Sequence, residues 1–257
     1  MTEHSQAPTS RFSSRVRSYV LYRPHYPTAI IPFLIDACGL TPDSIVADIG
    51  SGTGFLSELF LEFGCAVDGV EPNLEMREAG ESYLKRFTEF HSIDGTAEAT
   101  TLASSSIDLV TAGQTFHWFN VPKSIAEFKR ILKSNGNVVI VWNERLTESS
   151  NFLREYEALL LKFGTDYTLI NHTHIQDSSL AELYEPTTYR FASFENSQLV
   201  DFEGLRGRFD SSSYVPSPEA ANYSEAIEAL RDIFDRNAVD GKVAIEYACK
   251  VHTGKLA

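Results

Sequence analysis

Residues 46–60, VADIGSGTGFLSELF, carry the densest chemistry in the chain. An apolar run ends in a carboxylate, Asp48, and Gly50, Gly52 and Gly54 follow at alternate positions before a helical pattern starts. Such a loop bares backbone N–H groups at Gly50, Ser51 and Gly52 beside a helix N-terminus, where an anionic ligand group gains ~0.3–1 kcal/mol. Asp48 offers the opposite sign, able to face a ligand ammonium directly or through water. A second carboxylate, Glu71, ends the next apolar run and stands 21 residues after Gly50. A carboxylate at that place can accept both hydroxyls of a ribose at once. Two further stretches, DGTAE at 94–98 and GQTFHWF at 113–119, also follow apolar runs.

The elements that must position these residues are legible as an alternation. Residues 44–50, 66–72, 88–94, 106–113 and 137–143 read as strands, rich in β-branched and apolar side chains. Residues 27–38, 54–64, 73–87 and 121–136 read as helices, with Pro27 and Asn73 as start signals and Gly39, Gly64 and Gly136 as stops. Strands alternating with helices imply an α/β fold with a doubly wound, mostly parallel sheet, whose ligands sit beyond the C-terminal strand ends. After residue 143 the rhythm breaks. Residues 148–163 and 217–239 read as helical, 187–195 as a strand, 196–209 as a helix and 242–256 as a final strand, while 165–186 is mixed.

The glycine spacing narrows the ligand. A dinucleotide site wants a third glycine at position 55, where this chain has Phe55. The Gly-Lys-Ser/Thr of a phosphate-binding P-loop is missing too. An NAD(P)-dependent oxidoreductase stays the rival enzyme, weakened further by the lack of a Tyr-x-x-x-Lys pair after the fourth strand. A binding protein without catalysis is the other rival.

The D-x-G-x-G-x-G pattern from Asp48 to Gly54 resembles the first motif of the class I S-adenosylmethionine-dependent methyltransferases. The aromatic stretch Gln114–Phe119, and Tyr19, Tyr22, Arg23, Pro24, Tyr26 and Pro27 upstream, resemble the methyltransferase type 11 subgroup and its trans-aconitate methyltransferase-like members. The resemblance covers residues 12–143 well and the remainder loosely. It implies a seven-stranded Rossmann-like sheet whose last strand is antiparallel, with helical insertions on the substrate side. It also implies S-adenosylmethionine as cofactor, S-adenosylhomocysteine as product and a small-molecule acceptor. The cofactor contacts it implies are Asp48, Gly50, Ser51, Gly52, Glu71, Pro72, Asn73, Thr96, Ala97, Gln114 and Tyr19. Whether Asp94 or the Thr96–Ala97 backbone meets the adenine stays open.

Methyl transfer is an in-line displacement at carbon, with a neutral thioether leaving. Alignment alone can supply ~7–11 kcal/mol of the barrier reduction. The faces of Phe116, Trp118 and Tyr19 suit a sulfonium methyl. A carboxylate acceptor, with pKa near ~4, arrives deprotonated and needs cations to orient it; Arg23, or Arg206 and Arg208, are candidates. A hydroxyl acceptor needs a base, for which His117 is best placed, although an equally good reading makes it a structural hydrogen-bonding residue.

Composition bounds the rest. The net charge is −13, which opposes nucleic acid or an anionic membrane as partner. Cys38, Cys65 and Cys249 are far apart and odd in number, so neither a disulfide framework nor a zinc site is expected. The pair His172 and His174 lacks evident partners for a metal. No signal peptide or membrane-spanning stretch is visible, so a cytoplasmic setting is the default. Residues 1–11 read as a disordered tail and 12–257 as a single domain. Within it, 12–43 is an N-terminal lid with its helix, a strap packed on the sheet edge being the alternative, 44–143 the cofactor core, and 144–257 the substrate-side helices and last strands. Oligomeric state and acceptor identity are left open.

Overall fold

The computed structural model of the chain describes residues 22–164, 167, 180–212 and 214–257. The expected tail at 1–11, Tyr19, the His172/His174 pair and most of the mixed 165–186 stretch lie outside the described residues.

Five parallel neighbours form the first part of one seven-stranded sheet: β1 (Ile45–Ile49), β2 (Ala66–Val70), β3 (Phe90–Ile93), β4 (Ile107–Gly113) and β5 (Leu132–Arg145). The long strands β6 (Arg190–Val200) and β7 (Val243–Gly254) complete it in the order β3-β2-β1-β4-β5-β7-β6, with β7 antiparallel to both neighbours. The seven-stranded sheet and its antiparallel last strand are those expected from the resemblance. Strand order reverses between β1 and β4, so a crevice must open above their C-terminal ends.

Helices α1 (Ile30–Cys38), α2 (Phe55–Phe63) and α3 (Leu74–Leu84) alternate with the first strands, and α4 (Val121–Ile131) precedes β5. Alternate side chains of each central strand enter opposite cores, as the pleat requires. Val46, Leu109 and Val139 pack with Leu34, Leu56 and Phe60 on one face. Ala47, Val110 and Val138 pack with Phe128 and Ile131 of α4 on the other. A sheet covered on both faces explains why its strands read as nearly continuous apolar runs. A third core lies under the far end of the β6–β7 pair. It is built by α5 (Asn151–Phe163), α6 (Phe202–Asp210) and α7 (Tyr223–Asn237) against Val243, Ile245 and Tyr247.

Two expected boundaries are corrected. Helix α4 stops at Ile131 rather than at Gly136, because Leu132 pairs with Ile107 and joins the sheet, and the register shifts before Leu109 pairs with Asn137. Ser105 and Ser106 donate backbone N–H groups to the carbonyls of Arg130 and Ile131, closing the helix there. Residues 196–200, read as helical, belong to β6: Asn196 through Val200 pair with Tyr247 through Val243. Ladder hydrogen bonds outweigh the weak helical preference of five residues. The helix begins only after Asp201, whose side chain accepts from the Gly204 N–H at 2.8 Å.

Candidate functional site

One cavity of about 560 Å³ opens above the C-terminal ends of β1, β2, β4 and β5, within the ordinary range for small-molecule sites. The turn after β1 forms its floor. Gly50, Gly52 and Gly54 have φ of +71°, +56° and +89°, a succession of left-handed residues that only glycine adopts cheaply. Gly50 also packs against Thr115, whose hydroxyl donates to the Ile49 carbonyl at 3.0 Å. The turn after β1 is thereby locked to the loop after β4.

Glu71 leaves the end of β2 and turns back onto that floor. One carboxylate oxygen accepts from the Gly52 N–H at 3.0 Å and the other from the Asn73 N–H at 2.8 Å. Each oxygen keeps a lone pair for a ligand hydroxyl. Burial pushes the Glu71 carboxyl above its usual range, against the lowering effect of these two amides and of Arg77. Arg77 itself donates to the Glu71 carbonyl at 2.9 Å and to Asp94 at 3.3 Å. Asn73 caps α3 by accepting from the Met76 N–H at 2.9 Å.

Asp48 is 1% exposed and accepts from the Ser57 hydroxyl at 2.7 Å. Burial pushes its carboxyl up to about 7; the Ser57 hydrogen bond opposes this and the neighbouring charge of Glu71 adds to it. The folded protein therefore holds a proton on Asp48 between pH ~4 and 7 that the unfolded chain releases. The stability this contributes is present in full below pH ~4 and is lost as pH rises through 7; raised Glu71 acts with the same sign. Thermal melts of the ligand-free protein should show Tm falling from pH 5.5 to 7.5. Asp48→Asn should flatten part of that slope; an unchanged slope would contradict the assignment.

The other sequence-derived candidates divide cleanly. Arg23, Asp48, Gly50, Ser51, Gly52, Glu71, Pro72, Asn73, Thr96, Ala97, Gln114 and His117 all line the cavity. Asp94 does not, and its side chain is 74% exposed. Of the 94–98 stretch, Thr96, Ala97 and Glu98 border the cavity. Phe116 also turns away: it is 3% exposed and packs on Phe119 in the core under β4. Trp118 lines the cavity and lies beside His117, ring centres 4.5 Å apart. Of the arginine pair on α6, Arg208 faces the cavity; Arg206 points elsewhere and meets Tyr223 and Asp210. Helical spacing separates neighbours i and i+2, so only one could enter.

Residues 22–26 form a strap along the rim. Asn196 donates to the His25 carbonyl at 2.7 Å, Gln198 to the Tyr22 carbonyl at 3.3 Å, and Arg23 to the hydroxyl and carbonyl of Ser211 at 3.1 and 3.0 Å. The side chains of Arg23, Pro24 and Tyr26 are thereby held as a wall of the cavity. The sequence reading missed the opposite wall, made by Asn143, Glu144, Arg145 and Thr147 at and beyond the end of β5, with Glu157, Tyr167, Tyr214 and Tyr247. No motif marks these residues; β5 continuing to Arg145 and pairing it with Tyr247 brings them in. Among the described residues no group of three His, Cys, Asp or Glu side chains could hold a metal ion, and no helix is long and apolar enough to cross a membrane.

Residues 47–140 match the family model of a methyltransferase domain. An uncharacterized methyltransferase-like protein of Schizosaccharomyces pombe is 32% identical over 214 residues, which cover 82% of this chain and 80% of that relative. An uncharacterized methyltransferase of Mycobacterium tuberculosis is 33% identical over 153 residues, and the chain spans 60% of that relative's length. Among solved structures, a candidate type II methyltransferase from Anaeromyxobacter dehalogenans superposes with a TM-score of 0.63. It covers 91% of this chain and 98% of its own at 19% identity, a likeness of fold.

Proposed function

The chain belongs to the methyltransferase family, and on that footing we propose that it moves a methyl group from S-adenosylmethionine to a small-molecule acceptor. The observation that carries this reading is the Glu71 clamp. A buried carboxylate that lines the cavity is fastened by two backbone amides beside a left-handed glycine turn. Such a carboxylate suits vicinal ribose hydroxyls, and the free lone pairs supply the fit. Asp48 suits the ammonium of an amino acid tail, the Gly50–Gly52 amides its carboxylate, and the Thr96–Ala97 segment an adenine.

Bound S-adenosylmethionine would supply an electrophilic methyl carbon. The chain's own residues then have three tasks. Glu71 and the glycine turn fix the donor's orientation. Trp118, Phe119 and Tyr26 wall the reacting end and exclude water. Arginines beyond them hold the acceptor, whose nucleophile loses its proton to His117 only if it arrives protonated. We favour O-methylation of a carboxylate or hydroxyl, in line with the resemblance of the Arg23–Pro27 and Gln114–Phe119 segments to the trans-aconitate methyltransferase-like subgroup. The three cysteines, none in a disulfide, suit a reducing cytoplasmic setting.

The test is release of S-adenosylhomocysteine from S-adenosylmethionine over a panel of small acids and alcohols. Acceptor-dependent release supports the proposal. Tight cofactor binding without release from any acceptor would favour a non-catalytic binding protein.

A further inference from the structure

The cavity's far wall holds a buried cation that no acid among the described residues balances. Arg208, in the last turn of α6, is 7% exposed. Its Nε donates to the Tyr247 hydroxyl at 3.4 Å and its Nη1 to the Ser212 hydroxyl at 3.2 Å. No carboxylate among the described residues pairs with it. The acids nearby have other partners. Glu157 binds Arg145 and accepts from the Tyr167 hydroxyl at 2.8 Å, Glu144 binds Lys250 at 2.7 Å, and Asp210 binds Tyr223 at 3.1 Å. An uncompensated buried charge is among the costliest groups a fold can hold, so its persistence in a cavity wall points to a ligand of opposite sign.

A second observation points the same way. Arg145 directs Nη2 to Glu157 and to the Tyr167 hydroxyl, while its Nη1 is buried without a hydrogen-bond partner among the described residues. Both arginines line the same cavity. Aromatic faces stand beside them: the Tyr167 and Tyr214 rings lie 4.8 Å apart, tilted by 50°. The positive charge on offer is limited by Glu157, which pairs with Arg145, and the free donors by Ser211, which takes Nε and Nη2 of Arg23.

Resting on the methyl-transfer reading, we propose that the acceptor is a small organic molecule with one carboxylate on a flat apolar body, and that Arg208 grips this carboxylate with Arg145 Nη1 as second donor. A planar guanidinium matches a carboxylate in geometry as well as charge, and the tyrosine faces cover the body. A polycarboxylate would bring more negative charge than this wall balances.

The test is calorimetric titration of the full chain saturated with S-adenosylhomocysteine. The probes are benzoate, phenylacetate and cinnamate, their neutral amides, the tricarboxylate tricarballylate, and inorganic phosphate. At least one aromatic carboxylate should bind ten-fold or more tightly than its amide, and more tightly than tricarballylate or phosphate. Arg208→Gln should erase the carboxylate preference, Arg208→Lys should restore part of it, and both should bind S-adenosylhomocysteine as the parent does. Failure of all three carboxylates, amides binding equally well, tighter binding of tricarballylate or phosphate, or a preference that survives Arg208→Gln would each overturn the inference. If Arg208→Gln does not fold, the carboxylate-against-amide comparison on the parent protein decides alone. Absence of S-adenosylhomocysteine binding in the parent would instead strike the donor reading beneath it.

Discussion

Replacing Glu71 by alanine should weaken S-adenosylhomocysteine binding by roughly 100- to 1,000-fold and leave the protein folded. The carboxylate accepts from the Gly52 and Asn73 amides at 3.0 and 2.8 Å and offers one remaining lone pair on each oxygen to a ribose. Hydrogen bonds to a charged group contribute ~1.5–3 kcal/mol each, so losing two, with a discount for non-additivity, removes about 3–4 kcal/mol of binding. Alanine also frees the Gly52 amide that holds the glycine turn to the end of β2, so pre-organisation of the turn is lost with the contact. Glu71→Gln keeps one acceptor and the side-chain shape and should fall between the two. Calorimetry checks the order; an alanine variant within threefold of the parent would remove Glu71 from the donor site.

Gly54→Ala should be among the most destabilising single-methyl additions in the chain. Gly54 precedes α2 with φ +89°, and a Cβ there would lie 2.5 Å from Cδ1 of Leu84, a side chain that is 0% exposed. A left-handed non-glycine residue costs ~1–2 kcal/mol and overpacking a filled core ~1–3 kcal/mol. The sum, about 2–5 kcal/mol, lowers Tm by roughly 5–15 °C in a protein of this size. Gly39→Ala is the matched control: φ is +68° and nothing lies within 4 Å of its Cβ, so only the backbone cost applies. The difference between the two melts isolates the clash with Leu84. Equal losses in both variants would contradict the packing described around the turn.

The half of the cavity proposed for the donor was legible because its residues sit in short, contiguous motifs at strand ends. Asp48–Gly54, Glu71–Asn73 and Gln114–Trp118 each follow a parallel strand, and the doubly wound topology delivers such positions to one crevice. Phe116 was misplaced because a three-residue helical turn rotates adjacent side chains apart, sending Phe116 inward and His117 and Trp118 to the cavity. The half proposed for the acceptor was barely legible. Arg145, Tyr167, Arg208 and Tyr247 are far apart in the chain and are gathered by the β5–β7 register and by α6. Nothing local marks the choice of Arg208 over Arg206; packing of α6 on α7 and β6 makes it. The same competition between local preference and long-range pairing set the ends of α4 and β6.

The central claim is that the glycine turn and Glu71 hold a methyl donor rather than a dinucleotide. Parallel calorimetric titrations of the parent protein with S-adenosylhomocysteine and with NAD test it most directly. Saturable one-to-one binding of S-adenosylhomocysteine, with no heat from NAD, is the expected result. Binding of NAD with no response to S-adenosylhomocysteine would contradict the account, since Phe55 would then stand in a working dinucleotide loop.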